Sequence, residues 1–263
     1  MSLLDPFSHA LATVLAATHD GLTTLGLPGD SALTWLLCIG AVVVLVRTAL
    51  LPFTVHGVRQ AHAASRARPH LTEITERYRG RTDADSVKKM LEERRGVSAE
   101  HGVSRLGCLP VLVQLPVWIT LYQLISDVAR GSAVGAMGPA LVASLGGASL
   151  LGVSLAGTGY LGGGPAHLAV VLGLALTAAA LSYATQKLFV APNTVLDAMP
   201  EAMVTAHRLM PTLSAIGLVV AGGIVPVALL GYWVLSSTWT LTQSAVVMRW
   251  FPTPGTEAAR RFA

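Results

Sequence analysis

The residues with chemistry to offer are one arginine and a set of uncharged polar side chains set in apolar runs. Arg47 lies inside "LTWLLCIGAVVVLVRTALLPFTVHG", fourteen residues past Leu33 and nine short of His56. At ~1.5 Å of rise per residue, its guanidinium falls roughly 13 Å from the polar end of such a helix. A charge at that depth costs at least ~2.5–3.5 kcal/mol on insertion scales. Intramembrane arginines usually face a carboxylate, yet the apolar runs hold no Asp or Glu, and Asp127 stands at the outer end of one. Arg47 therefore needs backbone carbonyls, polar side chains or water in a cavity. Such side chains occur at helical spacing. Trp233, Ser237, Thr240 and Ser244 fall at i, i+4, i+7 and i+11, with Tyr232, Ser236 and Gln243 on the same side. Gln114, Trp118 and Tyr122 repeat every four residues, and Ser182 and Gln186 are four apart. Taken singly, the hydroxyls fit hydrogen bonds between packed helices. An arginine without a counter-ion favours a hydrated groove instead. A groove of that kind lowers the cost of bringing polar peptide into the bilayer, and its charge attracts acidic residues. The residues alone leave an ion pathway open.

Catalysis finds little support. There is no H-E-x-x-H, no G-x-S-x-G within a span and no P-loop G-x-x-x-x-G-K-S/T, and an aspartyl dyad lacks its carboxylates. His56, His62, His70 and His101 lie at or beyond the boundary of the first span. Cys38 and Cys108 sit in apolar runs with no ligand spacing around them, so neither a disulfide framework nor a metal is expected. No cofactor is expected either.

The elements that must position these residues follow from composition. The 263 residues are 52% hydrophobic and 12% charged, with a mean hydropathy of +0.60. Soluble domains carry about 25% charged residues, so the chain reads as a polytopic membrane protein. Five stretches qualify as spans: Leu33–Val55, Leu106–Val128, Ala166–Gln186, Leu209–Val225 and Pro226–Met248, the last two joined by the turn "AGGIVP". The first residues carry Asp5 and no early Lys or Arg, so they do not read as a secretory signal. They fit an amphipathic helix at the interface.

Arg59, Arg66, Arg68, Arg77, Arg79, Arg81, Lys88, Lys89, Arg94, Arg95 and Arg105 all lie between the first two spans, which places that loop in the cytoplasm. Arg249, Arg260 and Arg261 place the C-terminal tail there too, which requires an odd number of spans. The basic loop carries helical repeats (Leu71, Ile74, Tyr78; Val87, Met90 or Leu91, Arg94) around "GRTDADS", with Thr82 as the expected N-cap. The fold class is all-α: five transmembrane helices, a cytoplasmic two-helix hairpin and an N-terminal interfacial helix. The order is the extracytoplasmic helix (1–30), first span (31–56), hairpin (57–105), second span (106–128), a Gly-rich extracytoplasmic loop with a short interfacial helix (129–165), third span (166–187), cytoplasmic loop (188–208), fourth and fifth spans (209–225, 226–248) and cytoplasmic tail (249–263).

One stretch is specific enough to carry a kinship. "EHGVSRLGCLPVLVQLPVWITLYQL", Glu100 to Leu124, closely resembles the junction of cytoplasmic hairpin and second conserved span in the YidC branch of the YidC/Oxa/Alb membrane protein insertases. "VRTALLPFTV" resembles the family's first conserved span and aligns Arg47 with its arginine. "RPHLTEITERYRG" resembles the first hairpin helix, and "YATQKLF" the end of the third span. "MPTLSAIGLVVAGGIVPVALLGYWVLSSTWTLTQ" resembles the last two spans. The likeness covers about residues 30–250. Departures are Ala228 where Gly is frequent, Ser236-Ser237 for Ser-Asn, Ser104-Arg105 for Asn-Pro, and a lone Gly107 before the cysteine, which together mark a divergent member. No long soluble segment precedes Leu33, which reads as a member without the large periplasmic domain.

The resemblance implies a non-enzymatic insertase and chaperone of the bacterial cell membrane, N-terminus outside and C-terminus cytoplasmic. Nascent membrane proteins would be its clients, and the Sec translocon, the ribosome, the signal recognition particle machinery and the lipid bilayer its partners, with no sequence-specific nucleic acid binding. The client groove would comprise Arg47, Gln114, Gln186, Tyr232, Trp233, Ser237, Thr240 and Gln243. A transporter or ion channel with a polar, Arg-containing pathway is the rival reading. It is disfavoured by odd parity without an inverted repeat and by the apolar "LGLALTAAA" and "SAIGLVVAG" segments.

Overall fold

The computed structural model describes residues 5–103, 109–161, 163–195 and 201–262, with the backbone alone at 109–114, 117 and 201. The described chain is helical apart from one two-stranded ribbon. In order it comprises α1 (Asp5–Thr24), α2 (Ala32–Ala49), α3 (Leu51–Arg77), α4 (Ala84–Glu100), α5 (Leu109–Ala129), α6 (Pro139–Gly147), β1 (Ser149–Leu150), β2 (Val153–Ser154), α7 (Gly164–Ala184), α8 (Glu201–Gly222), α9 (Val227–Trp250) and α10 (Glu257–Phe262). Among the described residues, three helical segments are long and apolar enough to cross a membrane: Ala32–Ala49, Gly164–Asn193 and Ala202–Gly222. The last is apolar yet hardly buried within the protein, as expected of a helix whose outer face meets lipid.

The first apolar run does not continue as one helix to Val55. α2 starts where Ser31 accepts the Thr34 N–H at 3.1 Å and stops at Ala49, because Pro52 in the first turn of α3 has no N–H and cannot continue the ladder. Arg47 thus stands in the last turn of α2, beside a helix break. α7 runs on through a π-helical turn (Thr185–Val190) and a 3₁₀ turn (Ala191–Asn193), and α8 is already helical at Glu201, ahead of Leu209. The helical segments therefore extend past the apolar windows by which spans are read from sequence.

α3 and α4 form an antiparallel hairpin that turns at Gly80, which takes φ +79°, a region costly for other residues. Asp83, not Thr82, caps α4: its Oδ2 accepts the Ser86 N–H at 2.8 Å. Arg77 bridges Glu73 at 3.2 Å and Glu93 at 3.1 Å, and Tyr78 donates its hydroxyl to Glu93 at 2.7 Å. Glu93, accepting that bond, pushes the Tyr78 phenol up. α4 buries no side chain and the last turns of α3, beyond Ala67, bury only Ile74, so polar contacts hold the hairpin tip. Hydrogen bonds from Ser86, side chain first and then backbone, hold the Asp83 carboxyl below its ordinary range. A lowered carboxyl stabilises the fold above the ordinary value of about 3.9 and stops doing so as pH falls through the folded value. Asp83→Ala should speed amide exchange across the first turn of α4 at neutral pH, whereas Asp83→Asn, which can still accept, should not. In the parent chain the same turn should loosen only in strong acid.

The Gly-rich segment after α5 is an ordered cap. α6 leads into the β1–β2 ribbon (Ser149 opposite Ser154, Leu150 opposite Val153), with Leu151 and Gly152 both at positive φ in the turn. Trp35 donates to Ser144 Oγ at 3.2 Å, and that hydroxyl donates to the Gly29 carbonyl at 2.8 Å, tying cap to core. The first N–H groups of a helix lack intrahelical acceptors. Those of Val227 and Ala228 at the buried start of α9 are taken by Gly157 and Leu155 carbonyls, each at 2.9 Å. The core beneath joins Trp35, Cys38 and Val42 of α2, Leu124 and Val128 of α5, Val171 and Ala175 of α7, and Leu229 and Leu230 of α9.

α8 packs along α7 until Gly222, where an added Cβ would stand 2.9 Å from both Ala175 Cβ and the Tyr160 hydroxyl. Gly222→Val should cost about 1–3 kcal/mol by overpacking, seen as a lower Tm in detergent. Gly217→Val, with no neighbour within 4 Å of its added Cβ, should leave Tm nearly unchanged.

Candidate functional site

Arg47 opens into a cavity of about 490 Å³ where five helices converge. The break after α2 contributes Leu50, and α3 follows with Phe53 and Thr54. Leu115 and Trp118 come from α5, Leu218 from α8, and Tyr232, Trp233, Ser236 and Ser237 from α9. Each element is aimed by an observed constraint. The α2–α3 break turns Phe53 and Thr54 under Arg47, and the capped start of α9 holds Tyr232 and Trp233, 5% and 7% exposed, against the core. Trp118 is 43% exposed and stacks on Tyr122 with ring centroids 6.1 Å apart, forming an open aromatic edge.

The Arg47 Nη2 donates to Ser236 Oγ at 2.7 Å. Among the described residues, no carboxylate lines the cavity. One hydroxyl cannot satisfy five guanidinium N–H donors, so the remaining donors face the cavity and are available to water or to a guest. The lining mixes polar and aromatic groups with the apolar Leu50, Leu115 and Leu218, which suits a peptide passing from water toward lipid. Among the described lining residues, none forms a nucleophile–base pair. Among the described residues, no group of three or more His, Cys, Asp or Glu could hold a metal ion.

The residues singled out from sequence divide. Arg47, Tyr232, Trp233 and Ser237 meet in the cavity. Gln243 stands behind it: its Nε2 donates to Thr54 Oγ1 at 2.9 Å while its Oε1 accepts from Trp239 Nε1 at 2.8 Å, so it fixes α3 against α9. Thr240 spends its hydroxyl on the Ser236 carbonyl at 2.9 Å, and Gln186 bonds Ser182 on its own helix at 3.4 Å. The side chain of Gln114 lies outside the described residues. Ser236, the direct partner of Arg47, shares the i, i+4 register with Thr240 and was visible in the polar run. Leu50, Phe53, Leu115 and Leu218 carry no sequence signal, because an apolar lining residue looks like any other residue of a span.

The model of the 60Kd inner membrane protein family matches residues 27–254. Proteins called membrane protein insertase YidC are similar to the chain. That of Streptomyces avermitilis is 27% identical over 89% of this chain and 55% of its own length. That of Tropheryma whipplei is 28% identical over 98% of this chain and 87% of its own. The chloroplastic ALBINO3-like protein 1 of Arabidopsis thaliana is 36% identical over 46% of this chain and 23% of its own. The chain thus spans about half the length of the Streptomyces relative. With a family match over nearly the whole chain, apolar helices of membrane-crossing length and an arginine-bearing cavity between them, the chain belongs to the 60Kd inner membrane protein family, the YidC/Oxa/Alb group of bacterial and organellar integral membrane proteins.

Proposed function

We propose that the protein is a membrane protein insertase and chaperone whose clients enter through the Arg47 cavity. The observation that carries this reading is a guanidinium held by one serine in a cavity that no described carboxylate lines, at the end of an apolar helix. That arrangement gives an incoming acidic or polar segment a positive, hydrogen-bonding surface within the bilayer and releases its apolar segment to lipid along the open Trp118 edge. Burial of the client's apolar span and the membrane potential acting on its charges supply the free energy. α2, α5, α7, α8 and α9 are the five spans, with α1 at the outer interface. The α3–α4 hairpin and the C-terminus lie in the cytoplasm, as the crowding of basic residues requires. In this topology the hairpin receives clients from ribosome and targeting machinery, and the Sec translocon stands beside the lipid-facing helices. The kinship with proteins called insertases supports the assignment.

Site-specific photocrosslinking tests it. A crosslinker at Trp118 or Ser237 should capture a short single-span client during insertion, while one at Leu176, half exposed on the outer face of α7, should not. Equal capture at all three positions would contradict passage through the cavity.

A further inference from the structure

Two more cavities follow α3 away from Arg47. The first, about 280 Å³, shares Thr54 with the Arg47 cavity and reaches Ala61, Asn193 and Thr253. The second, about 310 Å³, shares those last three residues and ends on Arg68 and Arg94. The continuity is encoded in α3. Thr54, Gly57, Ala61, Ser65 and Arg68 recur every three or four residues on one face, and the small side chains leave the space open. From Leu51 to Arg68 the helix rises roughly 26 Å.

The far end is charged, and no acid among the described residues occupies it. The Arg68 Nη2 is buried without a hydrogen-bond partner, and Arg94 gives its Nη1 to Thr75 Oγ1 at 2.8 Å. Neither arginine has an ion pair among the described residues, and no described carboxylate lines the cavity. Three of the hairpin's acids are engaged elsewhere: Glu73 and Glu93 with Arg77, Glu76 with Arg79. A buried donor left unmade is costly, and a guanidinium fork matches a carboxylate with two parallel bonds. The opposite wall is fixed in place, because the Asn193 side-chain oxygen accepts the Thr253 N–H at 2.7 Å and Ser65 donates to the Pro254 carbonyl.

We infer that Arg68 and Arg94 form a first docking station for the acidic segment of an incoming client, from which its carboxylates pass along the small-residue face of α3 to Arg47. The inference rests on the proposed insertase role. A lipid phosphate fits the charge but not the location, since the cavity adjoins the Arg47 cavity chain and is walled by α3, α4 and the turns after α7 and α9.

The test is fluorescence anisotropy with the purified full-length chain in detergent and a labelled Asp/Glu-rich peptide, set against its Asn/Gln counterpart. The acidic peptide should bind at least ten-fold more tightly than the amide one. Arg68→Gln should remove that preference and Arg68→Lys should retain part of it, at an unchanged Tm. Equal binding of the two peptides by the parent chain, or an acid preference that survives Arg68→Gln, overturns the station. Displacement of the acidic peptide by short-chain phosphatidylglycerol but not by unlabelled acidic peptide overturns it in favour of a lipid site. Binding is read without insertion, so this result is separable from the insertase role: an Arg68-dependent preference in a chain that inserts no client would leave the station standing and remove the function.

Discussion

Arg47→Ala lowers insertion of a client with an acidic translocated tail about ten-fold or more, and leaves a client with a neutral tail within about two-fold of the parent. The expectation follows from the surroundings of the guanidinium. Two unit charges ~4 Å apart attract by about 1 kcal/mol in bulk water and about 4 kcal/mol at an effective dielectric near 20. A partly hydrated cavity lies between these limits, and ten-fold corresponds to about 1.4 kcal/mol. Only Ser236 competes for the guanidinium within the described protein, so most of that attraction is available to a client. Arg47→Lys keeps the charge but loses the planar fork, and should retain part of the activity. Ser236→Ala should preserve the acid preference, because it removes an anchor and not the charge. Pulse-labelled clients, scored by protease accessibility in cells depleted of other insertases, give the readout. Equal loss for acidic and neutral tails would mean that Arg47 shapes the cavity and does not meet client charge.

Deleting residues 74–95 should reduce insertion several-fold at low client concentration, with recovery at high concentration, while the helices around Arg47 stay folded. The segment removes the hairpin tip, where Ile74 is the only buried side chain and the contacts are exposed ion pairs. Such pairs contribute little to stability, so Tm in detergent should fall only slightly. A loss confined to low concentration marks recruitment; a deletion that inserts normally at every concentration would reduce the hairpin to a topological anchor. The deletion also takes Arg94, so comparison with Arg68→Gln separates loss of the tip from loss of the docking cavity.

Helix existence was legible in the sequence, because apolar runs and Pro and Gly punctuation are local signals. Where helices stop was less so. Pro52 announces the break after α2 only if the apolar run is not allowed to override it, and α8 is helical ahead of its apolar window because "EAMVTAHRL" is a good helix former despite its charges. The cap over α9 was hidden for a different reason. Gly-rich composition looks the same in a loose loop and in an ordered turn, and only the tertiary bonds from Val227 and Ala228 to the 155–157 carbonyls distinguish them.

The site was half legible. A polar stripe on α9 predicts a face, and that face brought Tyr232, Trp233 and Ser237 to Arg47. Periodicity cannot tell whether a polar atom is free or already engaged. Gln243, Thr240 and Gln186 carry the right chemistry but direct it to Thr54, to a backbone carbonyl and to Ser182. Arg68 was counted only among charges that orient the loop, since nothing in its sequence neighbourhood reveals a buried, unpartnered nitrogen.

The most direct measurement is insertion of a short single-span client, with an acidic N-terminal tail, into liposomes containing only this protein, scored by protease protection alongside ion flux in the same vesicles. The proposed function requires protected client that falls about ten-fold with Arg47→Ala, and vesicles that stay tight to ions. Unprotected client in vesicles that leak anions, with the leak abolished by Arg47→Ala, would contradict it and make the arginine part of a permeation path.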